Sequence, residues 1–473
     1  MTQHTKIVAT IGPAIETPEQ IRKIIEAGVS VFRFNLKHNT HEWHSEMMER
    51  VRAQAKRVGE NIAIMIDLQG PELRIGMFKP GVESMQLEAG ELVTLAKENY
   101  RNVKNFIPFD SIDKISGLEI GKHIFIDDGA IELLTKAVRK NEIIAEIIHG
   151  GTLGTRKSVN IPSAHINIPT LTSKDRKDLE LGFKENVEFI ALSFVRDAND
   201  IKQLRKIIDN QKSKTKIIAK IETLKAIENL DEIIEATDIV MVARGDLGVE
   251  IPIERLPLLQ KQMIMKAREH SKPIIVATQM LQSMINNPTP TRAEVTDIAN
   301  AVFDKTDALM LSEETAKGAY PVKAVQIMSR IARYNDQHEF VEDINKKPDS
   351  FEEIMITASV KFSKQHPSGE NEISGYVVFT ESGRSVRMLS RYRPSLPVYA
   401  FTAYDTIARQ LSMSYGVTAN QIDLNKDPIE NIKTALRFLR SKHYLQKGQK
   451  VVVIFGNNVG IENANNNLTI VTA

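Results

Sequence analysis

The feature that most constrains this chain is a short, compact, apolar run rich in β-branched residues that recurs eight times. The runs are KIVATI (6–11), VSVFRF (29–34), NIAIMID (61–67), VEFIALSF (187–194), KIIAKI (216–221), DIVMVA (238–243), KPIIVA (272–277) and DALMLS (307–312). Such runs do not alternate apolar with polar, so each strand needs cover on both faces, as in a parallel sheet flanked by helices. Amphipathic helical patterns lie between them and carry start signals. Thr17-Pro18-Glu19-Gln20 offers an N-cap, a proline at the first helical position and a capping-box partner. Thr172 with Asp175 and Thr291 with Glu294 repeat the device. Eight strands, each followed by a helix, is the count that closes a (β/α)8 TIM barrel.

One connection breaks the rhythm. About one hundred residues separate Asp67 from Thr172, and they hold alternating patterns such as GKHIFIDDGAIELL and SVNIPSAHINIP without a strong helix. This predicts a small β-barrel lid domain inserted into a βα-loop, on the side where barrel active sites lie. After about residue 340 the pattern restarts. The polar stretch KKPDSFEE precedes a helix over 351–366, strands at YVVFT, PVYAFT and VVVIFG, and a last strand in NLTIVTA. That is an open, mostly parallel α/β sheet. A chain of 473 residues is in any case too long for one core. The expected division is barrel 1–70, lid 71–169, barrel 170–340 and C-terminal α/β domain 341–473.

Composition removes several function classes. Sixty-two basic residues face sixty acidic ones, so no broad field invites nucleic acid or an anionic membrane. There is no cysteine, which excludes disulfides, thiolate zinc sites and cysteine nucleophiles. The opening MTQHTKIVATIG lacks a basic stretch followed by a long apolar run, and no apolar run nears the roughly 20 residues that span a bilayer. A cytoplasmic protein is expected.

Barrel enzymes carry their chemistry at the carboxyl ends of the strands. Here the second strand ends in Arg33, Asn35, Lys37 and His38, and the third in Asp67, then Gly70-Pro71-Glu72 and Arg74. The fifth ends in Lys220 and Glu222, the sixth in Arg244, Gly245 and Asp246, the seventh in Thr278 and Gln279, and the eighth in Ser312, Glu313 and Glu314. Glu222 and Asp246 are hard oxygen donors suited to octahedral Mg2+ or Mn2+. Spacing alone leaves open, with equal weight, a structural network neutralised by Lys220 and Arg244. Lys220 and Arg33 are placed to bind a phosphate and its developing charge. Thr278 and Ser312 offer hydroxyls for holding water or relaying a proton, or for capping helices. In the last domain Thr380, Ser382, Gly383, Arg384 and Ser385 lie between a strand and a helix, as a phosphate cradle or an ordinary turn.

Together these motifs resemble the pyruvate kinase family. TKIVATIGPA, FRFN, D-x-x-GPE-x-R, IIAKIE, MVARGDLGVE, ATQML, MLSEETAKGAYP, FIDDG and TESGRS occur in the family's order across essentially the whole chain. The resemblance implies transfer of phosphoryl from phosphoenolpyruvate to ADP. It implies Glu222 and Asp246 as divalent-metal ligands, and Lys220 as the group that stabilises the transferring phosphoryl and the enolate. Arg33 is implied to bind phosphate, and Asn35, His38 and Arg74 to lie on the nucleotide side. The backbone of Ala243, Gly245 and Asp246 and the Thr278 hydroxyl are implied to hold the substrate carboxylate. Thr278 and Ser312, with Lys317 nearby, are implied in protonating the enolate, and Asp127 and Asp128 in a closing lid. A homotetramer is the family's usual assembly.

The chain departs from the pattern in places. The family's K+ site is matched at Asn35, Asp67 and the Leu68 carbonyl, but its serine position holds Lys37. An ammonium there replaces K+, paired with Glu72, or swings to solvent with the site lost. Asp197 stands where many members have lysine, and Glu313 replaces a common glycine. Glu381 and the terminal GNNVGIENANNN argue against a response to fructose 1,6-bisphosphate. Two other functions fit parts of the pattern: a catalytically weak sensor of phosphoenolpyruvate, opposed by the intact Lys220, Glu222, Asp246 and Thr278, and a metal-dependent lyase, opposed by the lid and last domain.

Overall fold

The computed structural model describes residues 4–97, 105–162, 164–338, 344, 348–365, 372–456 and 465–473. Eight parallel strands close into a barrel: β1 (Lys6–Thr10), β2 (Val31–Asn35), β3 (Ala63–Asp67), β4 (Phe189–Leu192), β5 (Lys216–Ile221), β6 (Ile239–Ala243), β7 (Ile274–Ala277) and β8 (Ala308–Leu311). β1 pairs with both β2 and β8, which closes the cylinder. Alternate residues of each strand face inward and pack as one cluster that includes Val8, Val31, Met65, Phe189, Ile218 and Met241. The other face packs on the surrounding helices. Because the strand period is two, the inward track continues from Val31 to Arg33, from Met65 to Asp67 and from Ile218 to Lys220. The carboxyl-end layer of the barrel is therefore polar where the layers beneath it are apolar. At the opposite end Met413, from the C-terminal domain, joins the interior cluster and plugs the floor.

Helix starts follow the sequence signals with one difference. Thr172–Asp175 and Thr291–Glu294 form full reciprocal capping boxes. Thr17 caps its helix by accepting from the Gln20 amide, so only half of the predicted box is made there.

The inserted segment builds its own apolar core around Val93, Leu95, Ile107, Ile124, Leu133 and Ile143. Its ladders form a six-stranded sheet and two two-stranded pairs wrapped on that core; the hydrogen bonding does not close into a cylinder among the described residues. In the last domain the sheet order is β11-β10-β9-β12-β13, built from β9 (Ile373–Phe379), β10 (Val398–Thr402), β11 (Val417–Gln421), β12 (Lys450–Gly456) and β13 (Asn465–Thr472). Four strands run parallel and β13 runs antiparallel to β12. β11 escaped the sequence reading because VTANQ is an edge strand with one face toward solvent, so it has no continuous apolar run. The boundary expected at 340/341 and most of the terminal GNNVGIENANNN stretch lie outside the described residues.

The barrel and the last domain are joined by buried polar contacts. Arg393 grips Asp307 with both guanidinium nitrogens, at 3.1 and 2.7 Å. Glu188, fully buried, receives Arg52 at 2.8 Å and Arg409 at 2.6 Å. The Lys6 ammonium donates to the Val417 carbonyl at 2.7 Å.

Candidate active site

The inward, carboxyl-end positions meet in one ion-pair network. Asp67 is buried and accepts Arg33 Nε and Nη2 at 2.8 and 2.6 Å, while Arg33 Nη1 reaches Thr10 Oγ1 at 3.1 Å. Lys220 Nζ lies 2.7 Å from Glu222 Oε1, 3.2 Å from Asp67 Oδ1 and 2.7 Å from Ser193 Oγ. Burial opposes charge on Lys220, but Asp67, Glu222 and Asp246 outweigh it and hold the ammonium above the ordinary lysine range. Burial likewise disfavours ionised Asp67, yet Lys220 and Arg33 pull its carboxyl below its usual value. Both groups stay charged at neutral pH.

Glu222 is fixed from behind by the Phe194 amide, at 2.7 Å to Oε2. Phe194 adopts φ 54°, which turns that amide inward. Asp246 sits in the first turn of the Arg244–Glu250 helix, directly after β6. Burial first, then the neighbouring Glu222 carboxylate, push the Asp246 carboxyl well above the ordinary range, against the pull of Lys220. Two carboxylates that repel one another in a half-buried mouth fit a divalent cation. The donors are hard oxygens, and no group of three or more His, Cys, Asp or Glu converges among the described residues. A metal held here takes most of its ligands from water or substrate, the habit of Mg2+. Arg244 does not neutralise this pair; it points to the loop after β7.

That loop is held in an uncommon conformation. Thr278 has φ 72° and Gln279 φ 54°. Thr278 Oγ1 accepts the Gly245 amide at 2.9 Å and donates to the Ala277 carbonyl at 2.6 Å. Ser312 occupies the N-cap position of the Glu313–Ala316 helix but makes no side-chain cap bond. Its amide, at 2.7 Å, and that of Leu281, at 3.0 Å, both donate to the buried Glu314 carboxylate, which joins the β7 and β8 loops.

On the β2 side the Lys37 ammonium pairs with Glu72 at 3.0 Å, and Glu72 also receives Arg74 at 2.7 Å. Lys37 makes no ion pair with Asp67; its amide donates to Asn35 Oδ1 at 3.2 Å. The Leu68 carbonyl is taken by the Ser193 hydroxyl at 2.7 Å. His38 is held below its ordinary value by burial and then by Lys37, Arg33, Lys317 and Arg74. Lys317 pairs with Glu313 at 2.8 Å. Asp197 turns out to be the N-cap of the Ala198–Asn210 helix, accepting two amides, which accounts for an acid at that position.

The lid reaches the mouth. Asp127 and Asp128 occupy consecutive left-handed positions, φ 56° and 54°. Lys157 pairs with Asp127 at 2.9 Å and Ser158 donates to Asp128 at 2.7 Å. The negative charge of Asp128 is felt at Asp246. A cleft of about 540 Å3 lies between the lid, at Asn160 and Asn167, and the barrel loops at Phe194 and Leu224, with Asp246 and Glu72 among its lining residues.

Sequence reasoning missed Ser193, Phe194 and Lys157. Ser193 lies on the inward track of the fourth strand, two residues beyond Ala191, so the period-two rule pointed to it; Phe194 acts through its amide, which no side-chain pattern reveals.

In the last domain Thr380 Oγ1 accepts the Gly383 amide at 2.9 Å. Ser385, however, is buried and hydrogen-bonded to the Glu352 carboxylate and, at 2.7 Å, to Asn465. Arg384 is exposed. Of the residues read as a phosphate cradle or an ordinary turn, Ser385 thus has its hydroxyl satisfied by the protein's own carboxylate, while Thr380 braces the turn through the Gly383 amide.

Fold and mouth together define a barrel phosphotransferase with a lid: a buried lysine, an arginine and two metal-suited carboxylates gather at the carboxyl end of one barrel. The family profile for the pyruvate kinase barrel domain matches residues 2–325, and that for the pyruvate kinase alpha/beta domain matches residues 366–471. A pyruvate kinase of Geobacillus stearothermophilus is 38% identical over 97% of this chain and 78% of its own length. One of Clostridium perfringens is 37% identical over 99% of both chains. The crystal structure of a Cryptosporidium parvum pyruvate kinase superposes with a TM-score of 0.92 at 33% identity, covering 99% of this chain and 96% of that one. The chain belongs to the pyruvate kinase family.

Proposed function

We propose that this chain transfers the phosphoryl group of phosphoenolpyruvate to ADP, giving pyruvate and ATP, in the residue roles that follow. The observation that carries the reading is Lys220, locked between Asp67 and Glu222 with Asp246 beside it. Arg33 and Lys220 bind the phosphoryl group. The amides of the Arg244–Glu250 helix and the Thr278 hydroxyl hold the substrate carboxylate. A β-phosphate oxygen of ADP attacks phosphorus, the bond to the enolate oxygen breaks, and Lys220 stabilises the charge that develops there. The enolate then takes a proton at its methylene carbon, through water held by Thr278 and Ser312, which makes transfer strongly downhill. Glu222 and Asp246 would hold Mg2+ or Mn2+, whose bound form neutralises enolate and phosphoryl oxygens. Asn35, His38 and Arg74 line the nucleotide side, where Glu72 now partners Arg74 until phosphates compete for it, and Lys317 lies near the hydroxyls that hold the water. The lid, through Asp127 and Asp128, excludes water and so suppresses hydrolysis.

The Lys37 ammonium, fixed on Glu72, supplies the positive charge that K+ supplies in relatives, and activity is independent of K+. The Glu352–Ser385 contact supports the absence of a fructose 1,6-bisphosphate response. The working form is a cytoplasmic homotetramer; no described helix is long and apolar enough to cross a membrane. Pyruvate formation from phosphoenolpyruvate and ADP with Mg2+, with and without K+, tests the whole reading. Equal rates in both conditions are expected; strong K+ activation removes the Lys37 role, and no turnover in either removes the enzyme assignment.

A further inference from the structure

We infer that Arg244 is a positioning residue that acts through Thr278, holding the β7 loop in the conformation the substrate meets. Threonine is β-branched, and a left-handed backbone at such a residue is sterically unfavourable. Here it is followed by a second left-handed residue, Gln279. Conformations of this kind persist only where surrounding contacts over-determine them. Arg244 provides those contacts. Its Nη2 donates to the Thr278 carbonyl at 2.6 Å and its Nε to the Ala277 carbonyl at 3.2 Å. Nη1 is anchored on Asp297 at 2.7 Å, and the side chain is largely buried. The next residue, Gly245, holds the same threonine from its other end through the hydroxyl. Residues 244 and 245 thus clamp residue 278, and residue 246 carries a carboxylate of the mouth. A planar fork reaching two carbonyls and a carboxylate cannot be reproduced by the point charge of lysine.

The inference rests on the reading of Thr278 as a group at the substrate, and the test separates the two. Arg244→Lys, Thr278→Ala and the double variant are compared by steady-state kinetics, by deuterium exchange into the pyruvate methyl group, and by thermal denaturation. Arg244→Lys is expected to keep its folded state and the KM for ADP while kcat falls on the order of 10²-fold, the scale set by a 1 Å misplacement. Methyl exchange should fall with it. The double variant should be no slower than Thr278→Ala alone, because both substitutions remove the same function. Arg244→Lys with parental kcat and exchange, or fully additive losses in the double variant, would overturn the proposal. Thr278→Ala with parental exchange would overturn the Thr278 reading instead. If Arg244→Lys unfolds, Arg244→Gln is measured; loss of fold in both makes Arg244 a structural anchor and ends the inference.

Discussion

Lys220 shows how a residue acquires a role from its surroundings. As a strand-end lysine it is a solvated charge; two strand residues away it acquires Glu222, and from β3 it acquires Asp67. Those partners hold the proton on the amine through the neutral range, so it acts as a fixed cation and not as a base. Lys220→Met is therefore expected to lower kcat by about 10²–10³-fold and also to lower the melting temperature, because Asp67 and Glu222 lose a buried partner, measured by pyruvate formation and thermal denaturation. Lys37 makes a second case. Its ammonium stands on Glu72 and not on Asp67, so its charge enters the mouth through the Glu72–Arg74 pair. On the proposed role of Lys37, Lys37→Ser is expected to make activity require K+; a K+ titration of the variant that stays flat would remove the lysine from that role.

At the scale of elements, the capping box before the Ser173–Lys184 helix does more than start a helix. Asp175 is fully buried, and its carboxylate takes the Thr172 amide at 2.8 Å and the Gly70 amide at 3.2 Å. One side chain therefore ties the chain where it leaves the barrel for the lid to the chain where it returns. Gly70 has φ 71°, and a Cβ there would meet the Ser193 side chain at 2.9 Å, so only glycine fits this pivot. Arg196 steadies the return from the other side, through the Ile166 and Ile168 carbonyls, each at 3.1 Å. Asp175→Ala leaves the buried Gly70 amide and the partly buried Thr172 amide without their acceptor. It should cost about 1–3 kcal/mol of stability per unsatisfied group and speed proteolytic cutting near residues 70 and 170; unchanged midpoints and digestion would show that the tie is dispensable. The box itself was legible in the sequence. Its second duty was not, because Gly70 is about one hundred residues away along the chain.

For the whole molecule, the closed floor of the barrel depends on the last domain. Met413 fills it, and Lys6, on the inward track of β1, reaches the Val417 carbonyl. Burial pushes the Lys6 ammonium down to about 8, against the pull of Glu60, Asp336 and Asp307. Below that pH the folded and unfolded chains both carry the proton, and the buried charge costs stability. Between about 8 and the ordinary 10.5 the unfolded chain binds more protons than the folded one, so stability rises with pH. Relative to Lys6→Met, the parent should gain about 2 kcal/mol between pH 7.5 and 9.5 in denaturant melts. A stability gap that is the same at both pH values would mean the charge is not buried in solution.

The barrel was legible from the sequence because strands buried on both faces must be written as compact apolar runs, and because capping residues are local. The polar residues closing those runs were legible for the same reason: the period of two carries an inward track outward to its last position. β11 was not, since an edge strand leaves half its residues to solvent. Nor was the fate of Ser385, whose hydroxyl is claimed by Glu352 from another helix. Sequence alone determined the cylinder, the inserted lid and the identities of the charged groups at the mouth. Only the tertiary structure decided which acid partners which base, that Arg244 serves Thr278 and not the carboxylates, and that Lys37 stands on Glu72, because those choices depend on distances between segments that the chain order leaves free.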